Sequence, residues 1–148
     1  MAEISLDIEK AAEILRKDTL VAIPTETVYG LGGNALNRDA VVRIFEAKDR
    51  PFFDPLIVHV ASKEAAIELA KEVPQGAEKL MDAFWPGPLT LVLPKKDVIP
   101  DLVTSGLPTV GLRVPNQSLT LELLRTVDFP LAAPSANPFG YVSPTSAQ

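Results

Sequence analysis

The sequence predicts an α/β layer fold, and two observations carry that reading. Short apolar runs of strand type alternate along the chain with segments of helical hydrophobic period. The apolar runs are short and nearly continuous, as in strands of a sheet covered on at least one face. The resulting expectation is a twisted, mixed but largely parallel sheet with flanking helices. Some antiparallel pairing is also expected, because several connections are short.

Each element has its own signal. Ile8, Ala11, Ala12 and Leu15 share one helical face. Leu20–Pro24 is an apolar run closed by proline and reads as a buried strand. Thr25–Asn37 is glycine-rich and reads as a loop. A helix is expected from Asp39 to Lys48, with Val41, Ile44, Phe45 and Lys48 on one side and Pro51 limiting its extension. Leu56–Val60 reads as a strand, and Ser62 as the N-cap of a helix carrying Ala66, Ile67 and Ala70. A helix after Pro74 is expected to turn Ala77, Leu80, Met81 and Phe84 inward, stopped by Trp85-Pro86-Gly87-Pro88. Leu89–Leu93 and Thr109–Val114 read as strands, with a helix after Asn116 bearing Leu119, Leu123 and Leu124. Leu131–Ala133 is a short strand, and the rest reads as loop.

Composition bounds the function. The chain has 148 residues, 47% hydrophobic and 22% charged, as in a single globular domain. It has 14 prolines, spread among the elements rather than clustered, so they shape ordered loops. No cysteine is present, which removes disulfides, thiolate nucleophiles and cysteine-ligated metal sites. The net charge of −5 opposes non-specific nucleic-acid binding, although a local basic concavity remains compatible with it. No apolar run approaches the roughly 20 residues of a membrane span, and the N-terminus has no signal-peptide core. The expected location is the cytoplasm.

Four segments hold candidate chemistry. Pro24-Thr25-Glu26-Thr27-Val28-Tyr29-Gly30-Leu31-Gly32 follows a strand and gathers hydroxyls, a carboxylate and a phenol on a glycine-rich turn. It is either a loop that approaches an anion or a turn capped by its threonines. The G-x-G-x-x-A match at Gly30–Ala35 lies too far past its strand for a dinucleotide fingerprint, and no P-loop motif occurs. Lys48 and Arg50 flank Asp49 at a helix end, either relieving the helix dipole or clamping a polyphosphate. Pro134-Ser135-Ala136-Asn137 offers small polar donors or simply a turn. Arg113 lies in an apolar strand and needs an anion if buried, from a ligand carboxylate or a protein Glu or Asp. His59, the one histidine, reads as a satisfied strand residue, so a histidine-rich metal site is excluded and no metal-ligating residue is assigned.

In combination, PTETVYGLG, K-x-R-P, DPLIVH, WPGPLTLVL, TVGLRVP and PSAN…SPT occur in an order that resembles the YrdC/Sua5 family of threonylcarbamoyl-AMP synthases. The resemblance runs from Leu20 to Thr145. It implies a YrdC-like catalytic domain over 1–148, cut short at its C-terminus, because the family continues past SPT. It also implies a nucleotidyltransferase that makes L-threonylcarbamoyladenylate and pyrophosphate from L-threonine, bicarbonate or CO2, and ATP with Mg2+. A partner threonylcarbamoyl-transfer complex would then modify tRNA position 37 to threonylcarbamoyladenosine. Double-stranded RNA or tRNA binding, or nucleotide binding without catalysis, is the alternative. By resemblance Lys48, Arg50, Ser135 and Asn137 are the catalytic set. Arg50, Asp54, Thr109, Ser135 and Ser143 would contact ATP. Thr27, Tyr29, His59, Arg113 and Ala133 would hold threonine. Two positions depart from the family: Asp49, where glycine is common, and Asp54, where asparagine is common.

Overall fold

A computed structural model describes residues 6–49 and 54–136. Five helices and six strands follow one another through them: α1 (Ile8–Arg16), β1 (Val21–Ile23), β2 (Gly30–Asn34), α2 (Arg38–Lys48), β3 (Ile57–His59), α3 (Lys63–Leu69), α4 (Gln75–Phe84), β4 (Leu91–Pro94), β5 (Thr109–Arg113), α5 (Ser118–Val127) and β6 (Leu131–Ala132). Helix starts are chemically marked. The side chains of Asp7, Asn37, Ser62 and Gln117 each accept a hydrogen bond from a first-turn amide.

The strands form one sheet in the order β1-β2-β6-β3-β5-β4. The mixed α/β class holds, but the expectation of a largely parallel sheet is corrected. Only β3 and β5 pair in parallel; the other pairings are antiparallel. Short connections cause this. β1 turns back into β2 through residues 24–29, and β6 returns from α5 into the slot between β2 and β3.

β2 falls in the stretch expected to be loop. Its sequence, GLGGN, has weak intrinsic strand preference, yet it pairs with β1 on one side and β6 on the other. Glycine is needed there for space. A Cβ on Gly33 would stand 2.8 Å from the Leu20 side chain.

The two faces of the sheet are covered differently. Val58, Val110, Leu112 and Ala132 pack in one core with Val41, Ile44 and Phe45 of α2, Ala66 and Leu69 of α3, and Met81 of α4. On the other face, α1 and α5 pack over Ile23, Leu131 and Ala133. Arg16 of α1 ties the two helices by donating to the Thr126 carbonyl at 2.8 Å. Helix α4 is anchored by Met81, while Leu80 and Phe84, expected to face inward, are 41% and 56% exposed. Among the described residues no helix beyond α1 and α5 packs on this second face over β3, β5 and β4, where Ile57 and Val92 are exposed. Among the described residues no helix is long and apolar enough to cross a membrane.

Candidate active site

At the edge of this second face lies a cavity of about 360 Å3, with walls from four segments far apart in sequence. The first wall is the loop between β1 and β2, which supplies Thr25, Thr27 and Val28. Thr25 organises it. Its hydroxyl accepts from the amides of Thr27 at 3.2 Å and Val28 at 3.1 Å, and the two threonine hydroxyls sit 3.0 Å apart. The turn reading is therefore correct for Thr25, and that turn presents Thr27 to the cavity.

The second wall is Ala133-Pro134-Ser135, where β6 leaves the sheet. It lies against the first wall: Leu31 donates to the Pro134 carbonyl at 2.8 Å and Ala136 to the Tyr29 carbonyl at 2.9 Å. Gly30 permits this approach, since a Cβ there would meet the Ala133 Cβ at 3.2 Å and the Pro134 oxygen at 3.3 Å. Ala133 is further held by donating its amide to the Ile57 carbonyl at 3.1 Å.

Lys48 secures the same wall from α2. It is 2% exposed, and its Nζ donates to the Ser135 carbonyl. The dipole reading of Lys48 predicts a solvated ammonium, and burial replaces it. Two candidate segments separated by 87 positions thus meet through one hydrogen bond. The next residue, Asp49, caps α2 in the left-handed conformation, with φ 51° and ψ 43°. That geometry favours glycine, which gives the Asp49 position a backbone meaning before any electrostatic one.

β3 and β5 supply the remaining walls. Their parallel register sets His59 beside Arg113 and Ile57 beside Gly111, with side chains on a common face. His59 is 3% exposed, and its Nδ1 has no hydrogen-bond partner among the described residues. This differs from the expected satisfied strand histidine. Burial pushes the imidazole pKa down to about 4, against smaller opposing effects of the Ile57 and Leu131 carbonyls. The ring is neutral at pH 7 and forms part of the cavity wall, with Nδ1 itself buried.

Arg113 is 8% exposed, and burial lowers its pKa. The anion it needs is supplied by the protein: Glu26 forms an ion pair with Nη2. Its Nε donates to the Gly87 carbonyl at 3.1 Å, and Nη1 reaches the Thr27 hydroxyl at 3.5 Å. Gly87 is therefore part of the site, a role the WPGP stop signal did not reveal. The Gly87 amide donates to the Val114 carbonyl at 2.8 Å, and a Cβ there would stand 2.3 Å from the Phe84 oxygen.

The sequence candidates are thus partly gathered. Thr27, His59, Arg113, Ala133 and Ser135 line the cavity, and Lys48 braces it. Tyr29 is not in the wall; its carbonyl pairs the loop to Ala136. Thr109 lies at the far end of β5, about 13 Å along the strand from Arg113. The register places it level with Pro55, which lines the cavity next to Asp54. Arg50, Asn137 and Ser143 lie outside the described residues. A second cavity, of about 310 Å3, contains the buried Lys95, already paired with Asp101 at 3.0 Å and the Ile99 carbonyl at 3.0 Å. Among the described residues no group of three His, Cys, Asp or Glu side chains could cage a metal ion.

Comparison with known proteins agrees with this geometry. The profile of the Sua5_yciO_yrdC family, described as "Telomere recombination", matches residues 13–148. A threonylcarbamoyl-AMP synthase from Pyrococcus abyssi is 57% identical over 140 residues, covering 95% of this chain and 41% of that protein. One from Bacillus subtilis is 52% identical over 142 residues, with the same coverage of both chains. The crystal structure of P. abyssi Sua5 complexed with L-threonine superposes with a TM-score of 0.94 at 55% identity, covering 99% of this chain and 43% of that one. The chain thus spans about two fifths of the length of these relatives. With the family profile matched over all the cavity walls, the chain belongs to the Sua5/YciO/YrdC family.

Proposed function

We propose that this chain is the catalytic domain of an L-threonylcarbamoyladenylate synthase, a nucleotidyltransferase acting in tRNA modification in the cytoplasm. The observation that carries the reading is the cavity itself. A neutral histidine, a buried guanidinium and a threonine hydroxyl converge there beside a wall braced by Lys48. Relatives with 52–57% identity bear the name of that enzyme, and a structural neighbour holds L-threonine.

The chemistry divides between two ends. At the Arg113 end, the guanidinium would hold the threonine carboxylate while Thr27, His59 and the Ala133 backbone bound its remaining polar groups. Threonine's amine takes up CO2, losing a proton, and becomes a carbamate. At the Ser135 end, Lys48, Arg50, Ser135, Asn137 and Ser143 would hold the phosphates, with Asp54 and Thr109 toward the nucleoside. The carbamate oxygen then bonds to the α-phosphorus as the bond to the β-phosphate bridging oxygen breaks, and pyrophosphate departs. The protein's work is alignment and charge neutralisation, which needs no covalent enzyme intermediate. Mg2+ would arrive on the ATP phosphates and offset part of their charge beside Lys48 and Arg50. The threonylcarbamoyl-adenylate passes to the transfer complex acting on tRNA.

The test is pyrophosphate release from ATP in the presence and absence of L-threonine and bicarbonate. Release that requires both is expected, and release indifferent to threonine refutes the assignment. Arg50→Ala is expected to weaken ATP binding at least tenfold by equilibrium titration.

A further inference from the structure

We infer that Glu26 is a positioning residue for the substrate carboxylate, acting through Arg113 from outside the cavity. The inference rests on the reading of Arg113 as the anchor of that carboxylate. Thr25, Thr27 and Val28 line the cavity, whereas Glu26, between them, does not. Its side chain reaches Arg113 with one carboxylate oxygen and accepts from the Asn116 amide with the other. Asn116 follows the end of β5 through Val114-Pro115. A single carboxylate therefore ties the first wall of the cavity to the strand that carries the guanidinium.

The remaining contacts make that tie decisive. Arg113 is held at Nε by the Gly87 carbonyl and only at 3.5 Å by Thr27 on Nη1. Without Glu26, the far end of the guanidinium has no strong partner to fix its plane. A carboxylate binds an arginine fork in a narrow range of planes, so rotation of the head costs affinity directly. A carboxylate is also required rather than an amide. One oxygen can face the Arg113 charge while the other accepts from the Asn116 amide, whereas a glutamine must turn its NH2 group toward one of the two.

The experiment measures binding of L-threonine, L-threoninol and ATP to the wild type, Glu26→Gln, Glu26→Asp and Arg113→Lys, by calorimetry. L-Threoninol keeps the amine and the side-chain hydroxyl but replaces the carboxylate with an alcohol. Glu26→Gln is expected to weaken L-threonine about tenfold or more, leaving L-threoninol and ATP within twofold. Glu26→Asp keeps the charge on a shorter side chain and is expected to fall between Glu26→Gln and the wild type. It keeps the question decidable where Glu26→Gln fails to fold. Loss of L-threonine and L-threoninol alike overturns the inference, because Glu26 would then only hold the fold. Tighter L-threonine binding by Glu26→Gln also overturns it, showing Glu26 to be a competitor for Arg113. If Arg113→Lys leaves L-threonine binding unchanged, the Arg113 reading itself fails. If Arg113→Lys weakens L-threonine and Glu26→Gln does not, the Glu26 role alone fails.

Discussion

Acid is expected to destabilise this protein through one buried imidazole. His59 titrates at an ordinary 6.5 when unfolded but at about 4 in the folded protein, because its buried ring cannot be charged cheaply. The unfolded state therefore binds the proton first. The stability that neutral His59 confers is complete above pH 6.5, is lost as the pH falls toward 4, and does not change further below that. At about 1.4 kcal/mol per pH unit, the loss from this one group is about 2 kcal/mol by pH 5 and about 3 kcal/mol by pH 4. The assay is urea unfolding at closely spaced pH values for the wild type and His59→Gln. The difference between the two curves isolates the histidine from every carboxylate that titrates in the same range. A direct readout is also available: the chain has 1 histidine, so a single imidazole resonance reports its titration. A midpoint near 4 is expected. A midpoint above 6, or an equal pH slope in the variant, refutes the argument.

Three other perturbations follow from the same contacts. Lys48→Met removes a charge-assisted hydrogen bond worth about 1.5–3 kcal/mol from the Ser135 carbonyl, so pyrophosphate formation should fall about ten- to hundredfold. A rate within twofold of wild type would exclude Lys48 from the phosphate end. Gly87→Ala forces a Cβ against the Phe84 carbonyl and should cost about 1–3 kcal/mol in urea unfolding, together with weaker L-threonine binding through Arg113 Nε. Asp49→Gly relieves a left-handed residue at the end of α2 and should stabilise by about 0.5–1 kcal/mol; a lower urea midpoint would contradict that account.

Helix positions were legible because period and caps are local. Val41, Ile44, Phe45 and Lys48 were placed on one side of α2 from spacing alone, and all four are buried. Strand direction was less legible. β3 and β5 both read as buried strands, but nothing within either run says that they pair in parallel while β6 pairs antiparallel to β3. β2 was hidden because its glycines are selected by the space beside Leu20 and Ala133, a tertiary requirement that propensity cannot express. The site shows the same division. Arg113 announced its need for an anion by lying in an apolar strand, but Glu26 is 87 residues earlier and only the fold brings it there. His59 read as satisfied because lone strand histidines are commonly satisfied. Its Nδ1 is buried without a hydrogen-bond partner among the described residues, which no pattern within the strand foretells.

The two residues of β6 have a consequence for how the sheet closes. Among the described residues, Leu131 and Ala132 form the strand that joins the β1–β2 hairpin to the β3-β5-β4 group. β6 follows β1 to β5 in the chain, and without it the facing edges of β2 and β3 have no strand between them. Such edges are templates for pairing with another chain. Closing the sheet and delivering Ser135 to Lys48 are one event, since the wall begins where β6 ends. Seating β6 thus covers both inner edges and completes the cavity wall together.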